Sequence, residues 1–482
     1  MALLHSFWYE EAGRAFRAAA EADTSCAMAQ WGLASSYLHP LWAPPTPAEL
    51  REATAAVARA RALGARSHRE GMWVDAIAAY FDSAASAPHP RRLRQWSEAM
   101  ERLYRAHPED GEAAAIYALS LVAVANASPP DTTYALLRQA ADILEPLFRR
   151  SPEHPGLAHY LIHATDAPAL AARGSGAADR YATIAPSVPH ARHMPSHIYI
   201  RLGQWDRAIA SNASSAAAAR QYEREQRMTA TWDQTLHAMD YLAYAYLQKG
   251  QDTRARSVAD TIRAVNSWTP ERSLAAEYAL AAVPARYALE REQWPEAAGL
   301  VVREGLQPPA TAATRFARTI GSARGTDARA ARAELAALAA LDEEVARRQM
   351  GLWVNMVRAQ RMAAEAWVLL AEGDTAGATR LAREAADLED TSEKHPVTPG
   401  AILPARELLG DMLLLTGRAG DALAAYEASL RQQPNRARSL AGAARAAEAA
   451  GDRAAARRYR EELRRLLANA DQQRRVTLLS TR

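Results

Sequence analysis

The chain has 482 residues, enough for two to four ordinary domains or one long repeat array, and 49% of them are hydrophobic, so a sizeable core can form. Its 58 Lys+Arg against 55 Asp+Glu leave a net charge of +3, too even a balance for a nucleic-acid or polybasic membrane surface. One cysteine, Cys26, excludes an intramolecular disulfide and any multi-cysteine metal site, so a metal would have to be held by histidine and carboxylate.

The N-terminal MALLHSFWYEEA lacks a basic region followed by a long apolar run, so no signal peptide is expected. That points to a cytoplasmic protein, or a periplasmic or secreted one if an upstream segment is missing from this sequence. The most apolar window, residues 113–127, is 15 residues long, too short to span a bilayer, and no transmembrane segment is expected. Clusters of Pro, Gly and small polar residues predict loops at 39–47, 86–91, 126–131, 172–176, 307–312 and 389–400.

Along the chain one turn recurs: a Gly, four residues, then an Ala opening the next helix-forming run. It occurs as Gly203/Ala208, Gly250/Ala255, Gly373/Ala378, Gly417/Ala422 and Gly451/Ala456, with Glu292/Ala297 fitting when Glu takes the glycine slot. A left-handed Gly ending one helix and a small Ala letting the next pack closely describe an antiparallel helix pair. No segment alternates apolar and β-branched residues between turns, so strands are not expected and the predicted class is all-α.

The clearest unit is ARELLGDMLLLTGRAGDALAAYEASLRQQP, and the 34-residue spacing from Gly417 to Gly451 resembles the tetratricopeptide repeat, or TPR. Leu409, Gly410, Leu413, Ala422, Tyr426 and Pro434 carry that resemblance. Earlier spacings of 47 and 42 residues imply a looser, decorated array at 1–310 and a more regular one at 311–482, joined as one continuous solenoid with only a weak boundary.

Histidine supplies the chemical signal. Six of the 13 histidines, His154, His159, His163, His190, His193 and His197, fall within 44 residues. In HPGLAHYLIHATD, Pro155 suits a first helical turn, predicting a helix over 155–167 that puts His159, His163 and Asp166 on one face. In PHARHMPSHIYIRLGQW, Pro195 starts another helix, with His190 and His193 on the irregular lead-in and His197 in the first turn. Histidines four apart can share a metal ion, and stacked helix pairs would bring the two segments together. The residues between them, Tyr-Leu-Ile and Met-Pro-Ser, include no Glu, which rules out the HExxH metalloprotease arrangement.

The expected ligands are therefore His159, His163, Asp166, His190, His193 and His197, with His154, His237 and Glu153 as further candidates. Tyr160, Tyr199, Arg201, Trp205 and Asn212 are candidates for the pocket wall or substrate contacts. The isolated histidines His5, His39, His68, His89, His107 and His395 read, from the residues alone, as caps or satisfied polar contacts.

Both histidine motifs, with the early EEAGRAFRAAAEADTSCAMAQWGLA, resemble a group of bacterial TPR-like proteins carrying HPGxxHYxIHAx[DE] and HxxHMPSHI signatures. The resemblance covers roughly residues 5–250 and implies roles for His5 and His237, although the residues around those two depart from the group's pattern. It implies a fold more than a reaction.

The leading expectation is a TPR-like protein whose concave N-terminal face holds a transition metal, Zn, Fe or Cu, and binds a small molecule or peptide in the groove or acts on it, any chemistry being hydrolytic or oxygen-using. The alternative is an interaction scaffold without catalysis, engaging a protein partner through its C-terminal repeats. A third reading is anionic-ligand binding at helix N-termini, where partial positive charge disfavours a cation, helped by Arg192 and Arg201.

Overall fold

The computed structural model describes residues 1–325 and 327–480, and they form two compact units, Met1–Ile198 and Tyr199–Arg482. The break expected near residue 310 lies inside the second unit, where Pro308–Arg324 is one helix.

The first unit is built from α1 (Ala2–His5), α2 (Tyr9–Ala22), α3 (Ala27–Ser35), α4 (Pro47–Leu63), α5 (His68–Phe81), α6 (His89–Ala106), α7 (Gly111–Asn126), α8 (Ala135–Arg150), α9 (Pro155–Thr165), α10 (Ser175–Ile184), α11 (Pro189–His193) and the start of α12 (Pro195–Arg201). Local chemistry starts several of them: the Thr46 side chain and Glu49 form a reciprocal capping box on α4, and proline sits in the first turn of α4, α6, α9 and α11. Helix α7 holds most of the apolar window at 113–127; residues 113–123 are buried on every face, so it is a core helix packed between α6 and α8. The tryptophans Trp31, Trp73 and Trp96 are buried with it.

The second unit continues with α13 (Trp205–Glu225), α14 (Asp233–Gln248), α15 (Asp252–Ala264), α16 (Leu274–Glu290), α17 (Trp294–Ala298), α18 (Pro308–Arg324), α19 (Ala328–Arg347), α20 (Trp353–Ala371), α21 (Thr375–Asp390), α22 (Ala405–Leu415), α23 (Ala419–Gln432), α24 (Ala437–Ala449), α25 (Arg453–Leu466) and α26 (Gln472–Leu479). Its turns follow the repeat logic. Gly417 and Gly451 sit at φ 77° and 81°, and Glu292 adopts φ 57° in the slot that glycine fills elsewhere. Ala208, Ala255, Ala297, Ala378, Ala422 and Ala456, which open the following helices, are all buried. The protein is an all-α assembly of TPR-like helix pairs.

Three segments read as loops are helical instead. His89 opens α6, residues 171–174 form a 3₁₀ turn running into α10, and Pro308 and Pro309 lie in the first turn of α18. Proline tolerates a first helical turn, where its missing N–H is not needed, so Pro-rich stretches marked helix starts here. One short strand pair was also unexpected: Thr231–Trp232 pairs in parallel with Trp268–Thr269, two residues on each side, too short for an alternating pattern to register.

Tyr426 shows how tightly the repeats interlock. Its ring, fully buried on α23, lies against Gly410 of α22 and Gly442 of α24, where a Cβ would collide with it. Gly442→Ala should therefore destabilise the protein by about 1–3 kcal/mol, read as a lower urea midpoint, and Tyr426→Leu in the same chain should recover much of the loss.

Candidate metal centre

The first histidine segment folds as the HPG sequence dictates. The His154 side chain accepts the Leu157 N–H at 3.3 Å as the cap of α9, Pro155 takes the first helical position, and a Cβ on Gly156 would strike the His5 imidazole. Glycine is thus required where the end of α1 crosses α9. From α9, His159 and His163 project on one face, one turn apart, with their Nε2 atoms 3.1 Å from each other.

The second segment differs from expectation: His190 and His193 lie on the short helix α11, since Pro189 starts it, and not on an irregular lead-in. Helix α11 brings His190 Nε2 to 3.1 Å from His159 Nε2. Three imidazole nitrogens from two helices thus meet, all within 4.8 Å of one another, and all three side chains are buried.

The protonation of the central ring follows from its partners. His159 Nδ1 lies 2.6 Å from the His5 backbone carbonyl, which can only accept, so Nδ1 carries the proton and Nε2 presents a lone pair. Burial pushes the His159 imidazole down to about 3, so the ring is neutral at ordinary pH. One lone pair then faces two other ring nitrogens, more than a single acceptor serves well. Four-coordinate zinc with bonds of about 2.0–2.1 Å would separate neighbouring nitrogens by about 3.3 Å, close to the 3.1 Å found here.

Aromatic rings enclose the triad. The Phe7 ring centre lies 4.4 Å from that of His159, 5.6 Å from His163 and 5.8 Å from His190, while Tyr181 stacks on His159 at 5.0 Å and Trp42 meets His190 edge-on at 5.3 Å. Phe7 is held at φ 54° just after α1, where its N–H donates to Leu4 O and that of Trp8 to Leu3 O, a Schellman ending normally given to glycine. A bulky residue there costs about 1 kcal/mol or more, a strain that places the ring over the histidines. Neither Phe7 nor Trp42 was singled out from sequence; no spacing rule links them to residues 150 positions away.

A second pair adjoins the first. His193 and His197 bring their Nε2 atoms to 3.0 Å, and the ring centres of His163 and His197 are 5.9 Å apart. Asp166, expected as a ligand, instead accepts the His197 Nδ1–H at 2.7 Å. Asp166 follows the last residue of α9, and its carboxylate takes the Nδ1 side of the His197 ring, whose Nε2 faces that of His193.

His5 and His154 belong to an outer layer. Their Nε2 atoms lie 2.8 and 3.0 Å from the two oxygens of Glu112, and His5 Nδ1 lies 2.9 Å from the Tyr160 hydroxyl. Because His154 Nδ1 accepts the Leu157 N–H, its Nε2 is the protonated nitrogen and donates to Glu112. These two histidines therefore clamp α1 to α7 and α9, and Tyr160 is a buried wall residue. Glu153, the other carboxylate candidate, is exposed and lies 3.7 Å from Arg180, away from the cluster.

The other candidates belong to the second unit. There Arg207 stacks over the Tyr199 ring at 4.0 Å, Arg201 pairs with Glu393 at 2.6 Å, Trp205 Nε1 donates to Asn435 O at 2.8 Å, and Asn212 bonds back to Ala208 O at 2.8 Å. His237 is buried on α14 with its ring 5.2 Å from Tyr241. Arg192, invoked for an anion site, donates to the Pro186 carbonyl, so both arginines of that reading are engaged elsewhere.

No family model and no curated protein matches the chain. Among solved structures, the human IFIT1 dimer with m7Gppp-AAAA is similar at 12% identity over 92% of this chain and 91% of that one, with a TM-score of 0.42. The APC/C hetero-tetramer Cut9-Hcn1 is similar at 10% identity over 99% and 94%, with a TM-score of 0.31. By its own helix pairs the chain is an all-α, TPR-like repeat protein, and no helix among its described residues is long and apolar enough to cross a membrane.

The clamp makes a pH-dependent contribution. Burial opposes ionisation of Glu112, but the hydrogen bonds from His154 and His5 outweigh it and hold the carboxyl far below its ordinary 4.5. Its stabilisation is fully present above pH about 4.5 and is lost as pH falls below that value. Glu112→Gln should lower stability at pH 7 by about 1 kcal/mol, discounted for partial exposure, and flatten the decline of the urea midpoint between pH 4.5 and 3.

Proposed function

We propose that the first unit binds a transition-metal ion through His159, His163 and His190, and that His193 and His197, oriented by Asp166, hold a neighbouring ion or share the same one. The observation that carries this reading is the His159 ring: its Nδ1–H is committed to the His5 carbonyl at 2.6 Å and its Nε2 lone pair points at two other imidazoles, each 3.1 Å away. An all-imidazole, thiolate-free set suits Zn, Fe or Cu. Backbone and carboxylate acceptors behind the ligand rings fix tautomers and ring orientation, as supports for metal-ligating histidines do.

A bound ion would supply Lewis acidity, a hydroxide at neutral pH, or reactivity with oxygen toward a small molecule. The chain's own contribution would be to hold the rings neutral by burial, to exclude water with Phe7, Tyr181 and Trp42, and to orient His197 through Asp166. A protein-binding scaffold is the competing reading. It requires no metal and predicts that the histidines are dispensable.

Elemental analysis of protein prepared without a nickel column decides between them. The proposal expects one or two equivalents of Zn, Fe or Cu, and loss of at least one in His159→Ala. Asp166→Asn should keep the ligands but weaken metal affinity about 10- to 100-fold, read by competition with a chelating dye. Substoichiometric metal, unchanged by His159→Ala, would leave the scaffold.

A further inference from the structure

The imidazoles of the triad are sealed: His159, His163 and His190 are 0%, 6% and 5% exposed. An ion, or any molecule bound at it, reaches them only when a covering element moves aside. Phe7, Trp42 and Tyr181 lie over the rings. Tyr181 comes from the ten-residue α10, which packs along α9, and is itself fully buried. Trp42 meets His190 from the segment between α3 and α4, where Leu38 and Leu41 are buried beside it.

Phe7 differs from both. Its ring contacts all three imidazoles, and it follows α1, a single helical turn of four residues whose Met1 and Ala2 face solvent. A helix that short is unstable alone, so α1 keeps its place through its ties to the rest of the unit. Leu4 is buried, the His5 carbonyl accepts the His159 Nδ1–H at 2.6 Å, and the His5 ring meets Glu112 at 2.8 Å and Tyr160 at 2.9 Å. The Glu112 side chain is about a third exposed, so this tie is made at the surface. The Phe7 backbone works against closure: at φ 54° it holds a strain that opening would release.

We infer that residues 1–8 form a lid over the triad, latched by the His5–Glu112 contact, through which the ion enters and leaves, a step that rests on the proposed metal site for the ion but not for access to the rings. Opening would also withdraw the His5 carbonyl from His159, so the movement that uncovers the central imidazole removes its support. With the closed state dominant both with and without the ion, the latch sets rates. Weakening it multiplies the open fraction of both states, so entry and exit speed up together at constant affinity. A residue that merely propped the ligands would raise exit alone and lower affinity by the same factor.

The test compares full-length wild type with Glu112→Gln. Zinc exit is timed by transfer to an excess of a chelating dye, and zinc entry by stopped-flow mixing. The latch loss given above for this variant corresponds to an open fraction about fivefold larger at pH 7, so both rates should rise about fivefold with the dissociation constant unchanged. Ser67→Ala, which removes the side-chain cap of α5 at comparable cost, should change neither rate and so separates lid opening from unfolding of the unit. In metal-free protein, diethyl pyrocarbonate should modify His159 and His163 about fivefold faster in Glu112→Gln than in wild type, with no change in Ser67→Ala. The inference is overturned if Glu112→Gln leaves entry and exit unchanged, if it raises exit alone, if Ser67→Ala speeds both equally, or if the modification rate does not respond. A protein that takes up no zinc sinks the metal reading, and the diethyl pyrocarbonate rates then decide the lid by themselves.

Discussion

The structure of the first unit turns on one hydrogen bond, from His159 Nδ1–H to the backbone carbonyl of His5. It joins the N-terminal turn to α9 across 154 positions of sequence and selects the tautomer of the central imidazole. Much else follows from that contact. Gly156 is needed so that His5 can approach α9, the His5 side chain is held by Glu112 and Tyr160, and Phe7, two residues on, is left over the triad in a strained backbone conformation. A buried ring with one proton committed and one lone pair turned toward two other rings is what the proposed metal site would use as its central ligand.

The two halves of the cluster use different supports for the same end. His159 is fixed by a backbone carbonyl and His197 by the Asp166 carboxylate, the two acceptors most often found behind metal-bound imidazoles. A backbone acceptor adds no charge to the site, whereas a carboxylate does, so the two ends of the cluster differ in how strongly they would attract a cation.

How much of this was legible beforehand depended on whether the cause was local. The repeat turns were readable because Gly417, Gly451 and even Glu292 occupy left-handed positions at a fixed offset from a buried Ala. The approach of His159 to His163 followed from helical spacing, and the meeting of the two histidine segments from the repeat's packing. Loops at 86–91, 172–176 and 307–312 were misjudged because proline and glycine both break helices and begin or adjoin them. The contact of Asp166 with His197 carried no mark in the sequence, because it depends on where α9 stops, a difference of one or two residues. Phe7 and Trp42 carried no local mark at all; their contacts with the histidines exist only once the chain has folded around α9 and α11.

X-ray absorption at the metal edge of zinc-loaded protein probes the centre most directly. A first shell near 2.0 Å with the multiple-scattering pattern of three or more imidazoles, reduced in His159→Ala, is the result this account predicts. A shell of oxygen ligands, or one left intact when His159, His163 and His190 are all replaced, would contradict it.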